Sequence, residues 1–157
     1  LALLILVYKF EKDDGRGRKK IFNLYLKNTK YINNWDLVDL TAPKIIGAYL
    51  VNGSRKILYK LARSDSVWER RIAILATYAF IKAGEFKDTL AISRVLLNDA
   101  HDLIHKAVGW MLREVGKRSR AVEDQFLKRH HKTMPRTMLR YAIERFPERL
   151  QRAYLVR

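Results

Sequence analysis

The stretch Asn33-Asn34-Trp35-Asp36-Leu37-Val38-Asp39-Leu40-Thr41-Ala42-Pro43-Lys44-Ile45-Ile46-Gly47-Ala48-Tyr49-Leu50 decides how the chain folds, because it reads as one long apolar helix with a carboxylate stranded in it. An Asn supplies the N-cap. Trp35 and Asp39 stand four residues apart, which on an α-helix stacks indole and carboxylate on one face. Leu37, Val38, Leu40, Ile45, Ile46 and Tyr49 make the surroundings apolar almost all the way round. A charge there is costly unless something answers it, so the rest of the sequence is read around Asp39.

Upstream, the apolar run Leu1 to Tyr8 is too short to span a bilayer, and it carries neither a basic leader nor a small-residue cleavage site. It reads as a buried helix entered partway along. Asp13-Asp14-Gly15-Arg16-Gly17 breaks it, and a basic-edged helix follows over 18–27 with Ile21, Leu24 and Tyr25 on one face. Downstream of the central helix, predicted over 34–51, Asn52-Gly53-Ser54 marks a turn with Ser54 as cap. Further helices are predicted over 55–62, 67–83 (capped from Ser64-Asp65-Ser66), 86–97, 101–117, 122–131 and 136–146. Gly116 and Ser119 separate two of these, Pro135 sits as a first helical residue, and a short last helix follows Pro147.

Strand signals are absent from the sequence, so the fold class is all-α. The helices come in pairs, and Asp39, Arg71 and Trp110 recur at intervals of thirty-odd residues. That period predicts one domain over 1–157 of HEAT-like helical hairpins, stacked into a curved α-solenoid whose equivalent helices face one basic concave surface. A compact helical bundle is the structural alternative.

Composition narrows the function. The 157 residues carry 32 Lys+Arg against 16 Asp+Glu, a net charge of +16, and no cysteine. Disulfide scaffolds and thiolate metal sites are therefore excluded, and a polyanionic partner, nucleic acid first, is expected. Residues 1–64 hold 13 basic and 5 acidic side chains, 65–100 hold 5 and 5, and 101–157 hold 14 and 6. The excess is interleaved with apolar residues at helical spacing, so it decorates folded helices rather than a tail. No helix shows the one-sided basic and aromatic split of a membrane anchor, so no membrane partner is expected.

Three constellations carry the candidate chemistry. Trp35 with Asp39 is either a functional pair or a core tryptophan beside an aspartate salt-bridged to a neighbour such as Arg71. In Trp68-Glu69-Arg70-Arg71, Arg71 pairs with an acid or holds a phosphate with its planar fork, and Arg70 reads as surface. Lys106, Trp110, Arg113 and Lys117 align along one helix, as a phosphate-contacting face with the indole against sugar or base, or as a core tryptophan with a solvated basic edge. His101 and His105 stand four apart like helical zinc ligands, but no third ligand is evident and no metal is expected.

Asn34-Trp35-Asp36-Leu37-Val38-Asp39, Trp68-Glu69-Arg70-Arg71-Ile72-Ala73-Ile74-Leu75, Lys106-Ala107-Val108-Gly109-Trp110-Met111-Leu112-Arg113-Glu114 and Met134-Pro135-Arg136-Thr137-Met138-Leu139-Arg140-Tyr141-Ala142-Ile143-Glu144 together resemble the successive motifs of AlkD-type DNA alkylation repair enzymes. The resemblance covers nearly the whole chain in order. It implies HEAT-like repeats around a DNA groove and a glycosylase that excises N3- and N7-alkylated purines from duplex DNA without metal or cofactor. It further implies Asp39 as the catalytic carboxylate, Trp35 and Trp110 as aromatic walls beside the damaged nucleotide, and Arg71 as a ligand of the DNA backbone. Family members carry helices ahead of the point where this chain starts, so an N-terminally incomplete fragment is expected. The expected partner is double-stranded DNA with alkylated purines, the expected form a monomer, and the expected location the bacterial cytoplasm, at the nucleoid.

The residue types suit that chemistry. Alkylation at N3 or N7 makes the purine cationic and already a good leaving group, so what remains to be stabilised is the positive charge growing on the deoxyribose. A lone carboxylate at about 4 Å and an effective dielectric near 20 contributes on the order of 4 kcal/mol, about a thousandfold in rate before costs. The competing class is a non-catalytic HEAT-like DNA-binding or scaffold protein, for which an acid on the binding face has no use.

Overall fold

The computed structural model describes residues 2–156, and every regular element among them is helical. Helix α1 (Ala2–Lys12) is followed by α2 (Gly15–Lys27), which begins earlier than the glycines suggest because Asp14 caps it, accepting from the Arg16 and Gly17 amides. A single 3₁₀ turn, Thr29–Tyr31, leads to α3 (Trp35–Thr41), capped by Asn34, whose side chain accepts from the Asp36 amide at 2.8 Å. On α2 the buried face is Ile21, Phe22 and Tyr25, while Leu24 is exposed, contrary to its predicted place in the core face.

The central helix is not a plain α-helix. From Ala42 to Gly47 it opens into a π turn before α4 (Ala48–Leu50), and the Ala48 amide reaches back five residues to the Pro43 carbonyl. Pro43 has no N–H to give the carbonyl four residues before it, and its ring crowds that turn, so the backbone widens there. The widened segment is entirely buried on its other side through Ile45, Ile46 and Gly47. Gly47 lies against α6 (Val67–Ala76): a Cβ there would come within 2.2 Å of the Ala76 carbonyl oxygen, so only glycine permits this approach.

The helix predicted over 67–83 is divided at Thr77, whose hydroxyl donates to the Ile74 carbonyl at 2.7 Å, into α6 and α7 (Tyr78–Lys82). Ser66 caps α6 as the sequence suggests. Ser54 does not cap α5 (Lys56–Leu61), where Arg55 holds the cap position without a side-chain cap bond. Instead the Arg55 guanidinium joins Asp88 at 2.7 Å and Glu85 at 2.8 Å and lies over the Phe80 ring, tying the start of α5 to α7 and α8 (Lys87–Val95). Helix α9 runs unbroken from Asp102 to Arg118, through Gly116. Then come α10 (Arg120–His130), α11 (Arg136–Ala142) with a 3₁₀ turn to Arg145, and α12 (Glu148–Leu155). Pro135 and Pro147 stand one residue outside their helices, as caps.

In the packing, α3 lies against α6, α6 against α9, and α9 against α11, while α5, α8 and α10 pack on the long helices adjacent to them in sequence. One continuous apolar core runs through this series from Val7 to Phe146, with Ile72 to Ala76 and Met111–Leu112 at zero exposure. Close approach of α9 to α11 needs Gly109, where a Cβ would meet the Met138 carbonyl oxygen at 2.5 Å. No helix among the described residues is long and apolar enough to cross a membrane.

Gly116 continues α9 because its bare Cα face receives the Glu123 carboxyl of α10; a Cβ there would lie 1.7 Å from Glu123 Oε2. Glu123 is 2% exposed, its Oε1 has no hydrogen-bond partner, and burial pushes its carboxyl from 4.5 up to about 8. The folded state therefore holds a proton that the unfolded chain releases between about pH 4.5 and pH 8. Folding stability is expected to be flat below that window, to fall by on the order of a few kcal/mol across it, and to level off above it. Glu123→Gln is expected to abolish the fall in urea titrations run from pH 5 to 9, and an unchanged slope in the variant would assign it elsewhere.

Candidate active site

Three helices packed in series bring the site together. Asp39 comes from the last turn of α3, Arg71 from the middle of α6, and Trp110 from the middle of α9. Because α3 packs on α6 and α6 on α9, residues far apart in sequence line one cleft of about 480 Å³: Trp35, Asp39, Arg71, Lys106, Trp110 and Arg113, joined by Leu103 and Tyr141. Lys117, the last member of the predicted stripe, does not line it.

Asp39 is answered by Arg71. The guanidinium donates through Nε to Asp39 Oδ1 at 2.9 Å and through Nη2 to Oδ2 at 2.8 Å, the two parallel bonds of a fork on a carboxylate. Arg71 Nη1 donates to the Leu103 carbonyl at the start of α9. The Arg71 side chain is 6% exposed and that of Asp39 is 15%, so the arginine sits beneath and the carboxylate meets the cleft. A second tie holds α3 in place: Thr29, just ahead of it, donates to Glu69 Oε1 on α6 at 2.6 Å. Tyr25 of α2 bonds the Thr41 hydroxyl at the end of α3 at 2.8 Å, and burial raises its phenol to about 12 against the lowering effect of that bond.

Arg70 is not the free surface residue its position suggested. It joins Asp99 at 2.6 Å and the carbonyls of Ser64 and Asp65, clamping the start of α6 to the turn before α9. His101 caps α9 by accepting from the Leu103 amide, and His105 Nε2 bonds the Asp99 carbonyl. No group of three or more His, Asp or Glu that could hold a metal ion occurs among the described residues.

Along α9 every cation of the stripe has an acid. Lys106 meets Asp102 at 2.9 Å, Arg113 meets Glu144 from the 3₁₀ turn after α11, and Lys117 meets Glu114 at 2.7 Å. The bond from Lys106 holds the Asp102 carboxyl below its usual range. Trp110 is partly buried, and its indole N–H donates to Glu114 Oε1 at 3.2 Å, whereas Trp35 is 50% exposed. Glu114 thus fixes Trp110 as well as Lys117, a role that the sequence reading missed although the four-residue spacing from Trp110 announced it. Tyr141 and the Leu103 carbonyl were also missed. The first lay within a quoted motif, and nothing in the sequence marked the second.

Among the described residues the regular structure is all helical, and one arginine-held carboxylate shares a cleft with two indoles and with cations that are themselves paired to acids. The family model for DNA alkylation repair enzymes matches residues 1–146, and the chain belongs to that family. Comparison with curated proteins gives no match.

Replacing Arg71 with methionine would leave the Asp39 carboxylate partly buried without its partner, which is expected to cost about 3 kcal/mol of folding stability. Urea unfolding reads the loss. The Asp39→Asn/Arg71→Met double variant is expected to recover most of it, and simple addition of the two single losses would mean that the residues do not act as a pair.

Proposed function

We propose that this protein is a DNA glycosylase that excises cationic N3- or N7-alkylated purines from duplex DNA, with Asp39 as the carboxylate that meets the sugar. The observation that carries this reading is the arginine-held Asp39 in one cleft with Trp35 and Trp110, in a chain of a DNA alkylation repair family. The sequential stacking of α3, α6, α9 and α11 supports a HEAT-like solenoid whose inner helices face the DNA.

In the reaction the glycosidic C–N bond breaks with its electron pair going to the purine, which leaves neutral, while the deoxyribose takes up the positive charge. Water then adds to C1′ and its extra proton passes to bulk solvent. Asp39 stabilises the sugar cation through an oxygen lone pair not used by Arg71, and the same carboxylate can hold the attacking water. Trp35 and Trp110 offer negative ring faces to the cationic nucleotide, each contributing about 0.5–2 kcal/mol.

Arg71 changes the magnitude. With a sugar cation at about 4 Å from the carboxylate and about 7 Å from the guanidinium, an effective dielectric near 20 leaves a net attraction of about 2 kcal/mol, roughly twentyfold in rate. That is half the attraction of a lone acid. Arg71 therefore works first as a positioning residue, and only the N–H groups not bound to Asp39 or Leu103 are left to meet a phosphate.

The same ion pair is the observation that favours a second reading, in which Asp39 is structural and the protein is a non-catalytic HEAT-like DNA-binding or scaffold protein. Single-turnover release of 7-methylguanine from methylated duplex separates the two. The expected result is release by the wild-type chain and a loss of about twentyfold or more in Asp39→Asn, with duplex binding kept. Binding without release, or wild-type release by the variant, overturns the assignment.

A further inference from the structure

Asp39 and Trp110 also line a second, larger cleft of about 650 Å³, and its chemistry differs from that of the first. Resting on the DNA-repair reading above, we infer that this second cleft grips the phosphate backbone flanking the reacting nucleotide, and that Lys44 and Lys82 are its phosphate-positioning residues.

The argument is one of free charge. In the first cleft Arg71, Lys106 and Arg113 are each matched by a carboxylate, so a phosphate arriving there must displace or share an acid already in place. In the second cleft Lys44 is exposed and makes no ion pair with an acid among the described residues. Lys82 is exposed too and makes none among them either, its ammonium lying 5.5 Å from the centroid of the Tyr78 ring. Arg18 completes the lining: it donates to the Phe10 carbonyl at 3.0 Å and lies over the Phe10 ring. The carboxylates facing these three cations are Glu11 and Asp39, and Asp39 is already spent on Arg71. A net positive cleft that opens from the acid of the reaction suits the polyanionic strand on either side of the reacting sugar.

The π turn gives this cleft its shape. On an uninterrupted α-helix Lys44, five residues beyond Asp39, would point about 140° away from it. The wider turn over Ala42–Gly47 lowers the rotation per residue and so narrows that angle, and Lys44 lines the same cleft as Asp39.

Fluorescence anisotropy with an intact fluorescein-labelled duplex, titrated across salt, tests the inference. Each lost phosphate contact removes about 0.9 from the slope of log affinity on log salt. The Lys44→Ala/Lys82→Ala variant is expected to lose about 1.8, with affinity down at least tenfold at low salt. Lys60→Ala/Lys87→Ala, which removes two exposed lysines lining neither cleft, is expected to leave the slope near that of the wild type. Equal slopes for the two double variants overturn the inference while leaving the glycosylase reading intact. Failure of the wild-type chain to bind duplex at all overturns both.

Discussion

A charge that cannot be left alone organises this molecule. Asp39 lies on a helix buried by Val38, Ala42, Ile45 and Ile46, where an unpaired carboxylate would be severely penalised, and Arg71 answers it with a two-bond fork from α6, packed against it. Arg71 is also bound to the Leu103 carbonyl, so one guanidinium fixes α3, α6 and α9 relative to one another at the cleft. The same contact aims the acid while, in the proposed reaction, halving its pull on a cation. In the proposed reaction stability and chemistry share one pair, and the acid's power is moderated by what holds it.

That moderation bears on the kind of reaction such a site can run. About twentyfold is too little to expel a neutral base and enough to assist a purine that is already cationic. In the proposed reaction the indoles, the carboxylate and the excess of basic side chains each contribute modestly, in keeping with a substrate that brings its own leaving-group activation.

Much of this was legible in the sequence, for identifiable reasons. Helical periodicity and the Asn34 and Ser66 caps are local, so the starts of α3 and α6 were placed to within a residue, while both helices end well before the predicted 51 and 83. The four-residue step from Trp35 to Asp39 put both on one face, and Arg71 was already among the partners weighed for the acid. What was not legible depended on contacts between helices. The Ser54 turn failed as a cap because Arg55 is drawn sideways to Glu85 and Asp88, and Gly116 failed as a break because Glu123 packs on it. Lys106 and Lys117 could have been paired with Asp102 and Glu114 from helical spacing alone, but Arg113 with Glu144 could not. Pro43 announced an interruption, while the direction in which the π turn swings Lys44 emerged only from the folded helix.

The claim that Asp39 meets a sugar turning positive is tested most directly by comparing two duplexes that differ only in the charge of a sugar mimic at one position. One carries a cationic aza-sugar, a pyrrolidine whose ring nitrogen replaces C1′, and the other an uncharged tetrahydrofuran. Wild-type protein is expected to bind the cationic duplex about twentyfold more tightly, and Asp39→Asn to show little preference between them. Equal affinity of the wild-type protein for the two duplexes would contradict the electrostatic role of this carboxylate.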